Sequence, residues 1–264
     1  MKKNYYYYLV CLVAMALFIA GCAKTEQAKT QEQISDRSLL NVKERGKLII
    51  GIDPDFPPMR LIDNSGNLVG YDVDVANEIA AQLKIPVDIK RIAWGELFDN
   101  VKSGNVDIVI SAITITPKRT EEMLFSIPYF DAGQVIIVGK DNTGINTPED
   151  LKGKKVGVLK GTTCEEAALQ YTDSSLIAGY SSNQDIISDI KKNSLDAMVT
   201  DLIGASGYVK SDSSIKIVGE PFTQEYYGIA TKLGNDALMD EINRVVRDMK
   251  RSGKLKEIKD KWLK

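Results

Sequence analysis

Two stretches of this chain can be laid over one another, and that echo constrains the fold more than any other feature. Residues 95–111 superpose on residues 184–200 at a constant offset of 89. Leu97 and Phe98 fall on Ile186 and Ile187, Val101 on Ile190, Asp107 on Asp196, and Val109 and Ile110 on Met198 and Val199. Each stretch has the pattern of an amphipathic helix followed by a strand. Apolar residues three and four apart line one helical face, and a short continuous apolar run suits a strand buried on both sides. Gly104 meets Asn193, two residue types that tolerate the left-handed conformation in which many helices end. A second echo pairs Gly46-Lys47-Leu48-Ile49 with Gly153-Lys154-Lys155-Val156, each opening a strand that leads to a polar loop and a helix. Any two α/β units share part of this pattern, but in either case the chain contains two such units.

The rest of the chain fits that plan. Strands are expected at 48–52, 87–92, 106–110, 155–159 and 195–200, and Val73, Val75, Ala76, Ile79, Ala80 and Leu83 form one helical stripe. Strands alternating with helices imply an α/β fold with mostly parallel sheets. Ligands of such sheets lie at the carboxyl ends of the strands, so two lobes with facing strand ends enclose a cleft. Near the C-terminus, Asn235 is expected to cap a helix carrying Leu238, Ile242, Val245 and Met249 on one face and ending at Gly253. Leu255, Ile258 and Trp262 mark a last short helix.

The first residues follow a different grammar. Lys2 and Lys3 precede an apolar run over 9–20, then small residues and a cysteine, which is the order of a secretory signal. The run is shorter than the roughly 20 residues of a spanning helix. Ile19-Ala20-Gly21-Cys22 looks like a bacterial lipobox, with residues 1–21 removed and Cys22 lipidated. A plain cleaved signal with an incidental cysteine is the simpler alternative. Residues 22–39, polar but for Ile34 and Leu39, are expected to form a flexible stalk. Without residues 1–21 the chain keeps 32 basic residues against 36 acidic ones, and no long basic stretch stands out, which argues against nucleic acid as a partner. Cys11 would leave with the signal and Cys22 would carry lipid, so Cys164 is left alone and the fold must rest on its core. The chain has no histidine, and so lacks the commonest general base and the commonest zinc ligand. No cofactor, metal or catalytic residue is expected.

Several polar residues fall where strands end. Thr114 and Arg119 follow a buried strand, with Thr116 placed to cap a short helix and Pro117 at its first position. A helix start offers free N–H groups, and arginine adds a planar fork that matches a carboxylate; otherwise Arg119 is a solvated surface residue. Gly161-Thr162-Thr163 forms another anion-friendly turn, or simply a cap. Asp201 follows a strand, either as a ligand group or as a helix cap. Phe56 and Trp94 lie in loops after early strands, where aromatics pack or stack on a ligand.

Across residues 46–264 the chain resembles the family 3 extracellular solute-binding proteins of ABC transporters, the polar amino acid class. The matching stretches are GIDPDFPP at 51–58, GYDVD at 70–74, SAITITPKR at 111–119, FSIPY at 125–129, DLKGK at 150–154, GTT at 161–163 and YGIA at 227–230. Each is weak alone, but their order and spacing are specific. The resemblance implies a two-lobed periplasmic-binding-protein fold of type II. One lobe would comprise 40–131 and 230–264 and the other 137–226, with hinge crossings at 132–136 and 226–230. It implies that Arg119 holds an α-carboxylate, with Thr162 and Thr163 adding contacts to it, that Asp201 holds an α-ammonium, and that Ala112 and Thr114 also bind the ligand. Phe56 and Trp94 would sandwich the ligand side chain, with Asp53 facing the same space. An aromatic pair plus a carboxylate suits a cationic or amide side chain. One departure counts against a cation: many relatives have Phe-Glu where this chain has Met59-Arg60, and an arginine reaching the pocket would repel it.

The function implied is capture of a polar amino acid by a monomeric lipoprotein at the extracytoplasmic membrane face, for delivery to ABC permease subunits. Two alternatives share the fold. An accessory amino-acid sensor could use the same pocket. A periplasmic dehydratase would need a positioned acid or base, and without histidine the candidates are carboxylates and lysines.

Overall fold

The computed structural model describes residues 36–263. The expected signal segment, the lipidated Cys22 and most of the expected stalk lie outside the described residues. Helix α1 (Ser38–Arg45) takes in the last two residues of that expected stalk, and the Ser38 hydroxyl accepts from the Leu238 backbone N–H.

Two sheets organise the rest. In the first, β1 (Leu48–Ile52) lies between β4 (Val87–Arg91) and β5 (Ile108–Thr114), all parallel. Next to β5 runs β13 (Glu225–Lys232), antiparallel, flanked by β6 (Met123–Phe125) and β7 (Phe130–Ala132). In the second, β9 (Val156–Leu159) lies between β10 (Ile177–Tyr180) and β11 (Ala197–Asp201), again parallel. Beyond β11 come β8 (Gln134–Gly139) and β12 (Ile215–Val218), each antiparallel to its neighbour. A short hairpin, β2 (Leu61–Ile62) with β3 (Leu68–Val69), stands apart.

The sheets are therefore mixed rather than mostly parallel, for a geometric reason. Parallel strands point their carboxyl ends at the cleft. A chain entering a lobe from the cleft side must run the opposite way, and β8 and β13 are the two strands that enter so. The first crossing lies at Gly133, between β7 and β8. The second occupies 219–224, between β12 and β13. The two crossings touch: Gln134 N donates to Thr223 Oγ1, Phe222 N donates to Gln134 O, and a Cβ on Gly133 would come within 2.5 Å of Thr223 O. Residues 226–230, expected as a crossing, lie inside β13. Tyr227, Ile229 and Ala230 are fully buried there, and a strand that completes a core is not a linker.

The internal echo is a structural duplication. The helices in question are α3 (Trp94–Ser103) and α6 (Asn183–Lys191). Gly104 and Asn193 follow them in the left-handed region, at φ of 80° and 58°, and Gly46 and Gly153 share φ near 74°. Asp107 and Asp196 brace equivalent places: each carboxylate accepts the backbone N–H of a residue opening the preceding parallel strand, Ile49 at 2.7 Å and Lys155 at 2.8 Å. Helix α2 (Tyr71–Leu83) buries the expected stripe against the first sheet. Helices α4 (Pro117–Thr120), α5 (Thr163–Ala168) and α7 (Leu202–Ser211) all start at strand ends or cleft loops. Helix α8 (Asp236–Ser252) buries Leu238, Ile242, Val245 and Met249, each worth about 1.5–3 kcal/mol of transfer free energy. Asn235 stands at its N-cap position but its side chain makes no capping bond, and its amide donates to Thr231 Oγ1. Helix α9 (Lys254–Trp262) is tied to α2 by the Trp262 indole, which donates to Asp74 at 2.7 Å.

Candidate ligand cleft

The strand ends converge on one cavity. From the first lobe Phe56, Arg60, Trp94, Ala112, Thr114 and Arg119 line it. From the second come Leu159, Thr162, Thr163, Cys164, Asn183, Val199, Thr200 and Asp201. Eight of the nine ligand residues expected from the sequence are in these two groups. Asp53 is not, because its carboxylate is already engaged: Oδ1 accepts from Asp55 N at 3.0 Å and Oδ2 from Trp94 N at 2.8 Å. It fixes the start of α3 and with it the Trp94 ring. About 40 Å³ remains between the lobes for water-sized atoms, room for a few waters at most.

Arg119 is held from several sides. Thr116 caps α4 by accepting from Arg119 N at 3.2 Å, with Pro117 at the first helical position as expected. The guanidinium donates through Nη1 to Thr114 O at 2.8 Å and, across the cleft, through Nη2 to Gly161 O at 3.2 Å. Its carbon lies 5.6 Å from the Trp94 ring centroid and 5.1 Å from that of Phe98. Burial pulls its pKa down, but an arginine keeps its charge.

Asp201 faces it from the second lobe and contributes to its electrostatic field. It occupies the N-cap position of α7 without capping it. Its carboxylate accepts the hydroxyl of Tyr227 and, at 3.7 Å, the thiol of Cys164. Burial, with the nearby Glu225 charge adding to it, pushes its pKa up to about 7. Cys164 is buried and its thiol pKa is also raised, so it behaves as a small packing residue.

Sequence reasoning missed Glu225. This buried carboxylate opens β13 and gathers both lobes: it accepts from Thr114 Oγ1 at 2.6 Å, Thr163 Oγ1 at 3.0 Å and Gln134 Nε2 at 2.7 Å. The only local signal was an acid directly before an apolar strand. Ala112 is a non-glycine residue at φ of 48°, a sparsely populated conformation that recurs at functional sites. Its N–H donates to Tyr129 Oη, which donates to Asp72, which accepts from Arg60.

Residues 48–264 match the model of the bacterial extracellular solute-binding proteins, family 3. The chain belongs to this family. Among curated relatives, the L-cystine-binding protein TcyJ of Escherichia coli K12 is 32% identical over 234 residues, covering 88% of each chain. The ABC transporter glutamine-binding protein GlnH of Bacillus subtilis is 30% identical over 269 residues, covering 100% of this chain and 98% of its own. Among solved structures, a mutant of ArgBP from T. maritima superposes with a TM-score of 0.81 at 37% identity, covering 85% of this chain and 98% of that one. Like ArgBP, this solute-binding protein has the type II periplasmic-binding fold.

The family 3 fold also explains what closes the mouth of its cleft. Gly204 and Gly207 on α7 face the loop that follows β1. A Cβ on Gly204 would lie 2.3 Å from the Phe56 ring, and one on Gly207 would lie 2.3 Å from Pro57 O. The lobes approach this closely only because both positions lack side chains.

Proposed function

We propose that this protein is the substrate-binding lipoprotein of an ABC importer, and that it holds a polar amino acid between its lobes. The observation that carries this reading is the pairing of opposite charges across one cavity. Arg119, held by Thr114 and stacked on Trp94, answers an α-carboxylate, and Asp201, on the other lobe, answers an α-ammonium. The named amino-acid-binding relatives support the same class of ligand and a binding rather than a catalytic task. Phe56 and Trp94 flank the side chain, and the Thr114 and Thr163 hydroxyls, which donate to Glu225, hold the rim of the site from both lobes. The space between the lobes is smaller than an amino acid, so entry requires the lobes to part about the two crossings. Cys22 would carry the lipid that keeps the monomer at the membrane, within reach of the permease subunits that receive the ligand.

A thermal-shift screen of the protein against the twenty amino acids tests this reading. A ligand at 100 times its Kd adds about 2.7 kcal/mol of stability. Polar amino acids should raise the melting temperature, with calorimetry giving one site per chain. A folded protein that none of the twenty stabilises would overturn the proposal.

A further inference from the structure

Two arginines line the cavity, and the α-carboxylate needs only Arg119. Arg60 remains. It is 3% exposed and its guanidinium carbon lies 4.9 Å from the Phe56 ring centroid. Nη1 donates to Asp72 at 3.1 Å, and Asp72, itself fully buried, also accepts from Tyr129. That pair fixes where the guanidinium stands. Its Nε finds no hydrogen-bond partner among the described residues. Asp53 Oδ1 is 3.9 Å away, beyond bonding distance, and both Asp53 oxygens already accept backbone N–H groups. Tyr208, edge-on to Phe56 with ring centroids 6.4 Å apart, backs this corner without lining the cavity. Asn183, a cavity residue, hydrogen-bonds the Tyr208 hydroxyl, and the Arg60 charge acts on it.

At this end of the cleft the Arg60 guanidinium, a cavity-lining group, therefore has a donor short of an acceptor. We propose that Arg60 sets the specificity of the site, and that the bound amino acid has a side chain ending in an acceptor oxygen, an amide carbonyl or a carboxylate, rather than a cation. Asp72 and, at 3.9 Å, Asp53 offset the charge of Arg60, but neither lines the cavity, so an incoming ammonium or guanidinium meets the arginine first. An acceptor oxygen gains a charge-assisted hydrogen bond there, worth about 10- to 100-fold in affinity over a side chain that cannot make it. The inference rests on the amino-acid reading above and deepens it.

Calorimetry on the wild-type protein with glutamine, glutamate, L-cystine, arginine, lysine and leucine tests it. Glutamine represents the amide, and glutamate and cystine the carboxylate. At least one of the three should bind about tenfold or more tighter than arginine, lysine and leucine. The double variant Arg60→Met with Asp72→Asn removes both charges and so leaves no unpaired buried carboxylate. It should lose that preference, and Arg60→Lys, which keeps the charge but not the fork, should retain only part of it. Circular dichroism establishes that the variants are folded. Arginine, lysine or leucine binding as tightly as the best acceptor ligand overturns the inference while the amino-acid reading stands. A preference that survives in a folded double variant overturns the role of Arg60. No binding of any of the six overturns the inference, and the twenty-ligand screen then decides the fate of the broader reading.

Discussion

Adding one methyl group at Gly207 should separate closure from folding. Gly207 lies inside α7, and its Cβ, if present, would stand 2.3 Å from Pro57 O, 2.7 Å from Pro57 C and 3.2 Å from Pro58 Cδ. Ordinary van der Waals contact begins near 3.4 Å, so the overlap with the carbonyl is about 1 Å. The opposing atoms are backbone and ring atoms of a proline pair, which cannot swing aside as a flexible side chain would. Relief has to come from parting the lobes. Overpacking of this size costs about 1–3 kcal/mol, and the cost falls on the closed state alone. Ligand affinity for Gly207→Ala should therefore drop by about 5- to 150-fold. In the open state the same substitution replaces a helical glycine with alanine, which favours the helix by up to about 1 kcal/mol. The melting temperature of the ligand-free variant should be equal or higher while its Kd rises. Calorimetry with the best ligand from the screen, and small-angle scattering with and without it, read the two effects. An unchanged Kd, or a loss of affinity accompanied by an equal loss of ligand-free stability, would refute the closure argument.

Arg119→Ala and Asp201→Ala should each weaken binding by about 30-fold to several thousand-fold, since each leaves a ligand charge unpaired in a closed cleft. Titration of both variants checks this, and wild-type affinity in both removes the clamp. Because burial lifts the Asp201 pKa to about 7, ligand affinity should be level above that pH and fall by up to about tenfold per unit below it, as the ammonium must first displace a proton. The sign for folding is opposite. A carboxyl whose folded pKa exceeds its unfolded value of 3.8 favours the ligand-free fold at low pH, and that contribution is lost as pH rises toward 7. Asp201→Asn should flatten both dependences, and a pH-independent Kd in the wild type between pH 5 and 7 would contradict them. Cys22→Ser should release the protein from membranes or leave it unprocessed; unchanged fractionation and processing would remove the anchor from the account.

How much of this was legible in the sequence differs from element to element. The parallel half of each sheet was visible because strand, helix and cap recur with fixed spacing, and Asp107 and Asp196 occupy the same place in both repeats. The antiparallel half was not, since strand direction depends on where a chain re-enters a lobe, and no local pattern records that. The second crossing was misplaced for the same reason: Tyr227 and Ile229 show their burial only once β5 is beside them. Arg119, Thr163 and Asp201 were legible as polar groups at strand ends. Asp53 was legible as a carboxylate near the cleft, but not its engagement by two backbone N–H groups. Glu225 and Gln134 stayed hidden because their partners are up to 111 residues away. Arg60 stood out only as a departure from its relatives, and its meaning depends on the buried Asp72 that fixes it.

The placement of β13 bears on the order in which the molecule can be built. This strand lies between β5 and β6, yet it is translated after the whole second lobe. Until it arrives, β5 has an open edge and the first sheet lacks its middle. Pairing Thr114 with Tyr227 directly would close a loop of more than a hundred residues. Once the second lobe has formed, the pairing of Ile136 with Val218 short-circuits that loop, leaving roughly 30 residues in two connecting stretches and lowering the closure cost by about 1 kcal/mol. The inserted lobe thus acts as a template that the interrupted one waits for. A chain still emerging from the ribosome or crossing a membrane has no complete first lobe to fold prematurely, and remains threadable until β13 has been delivered.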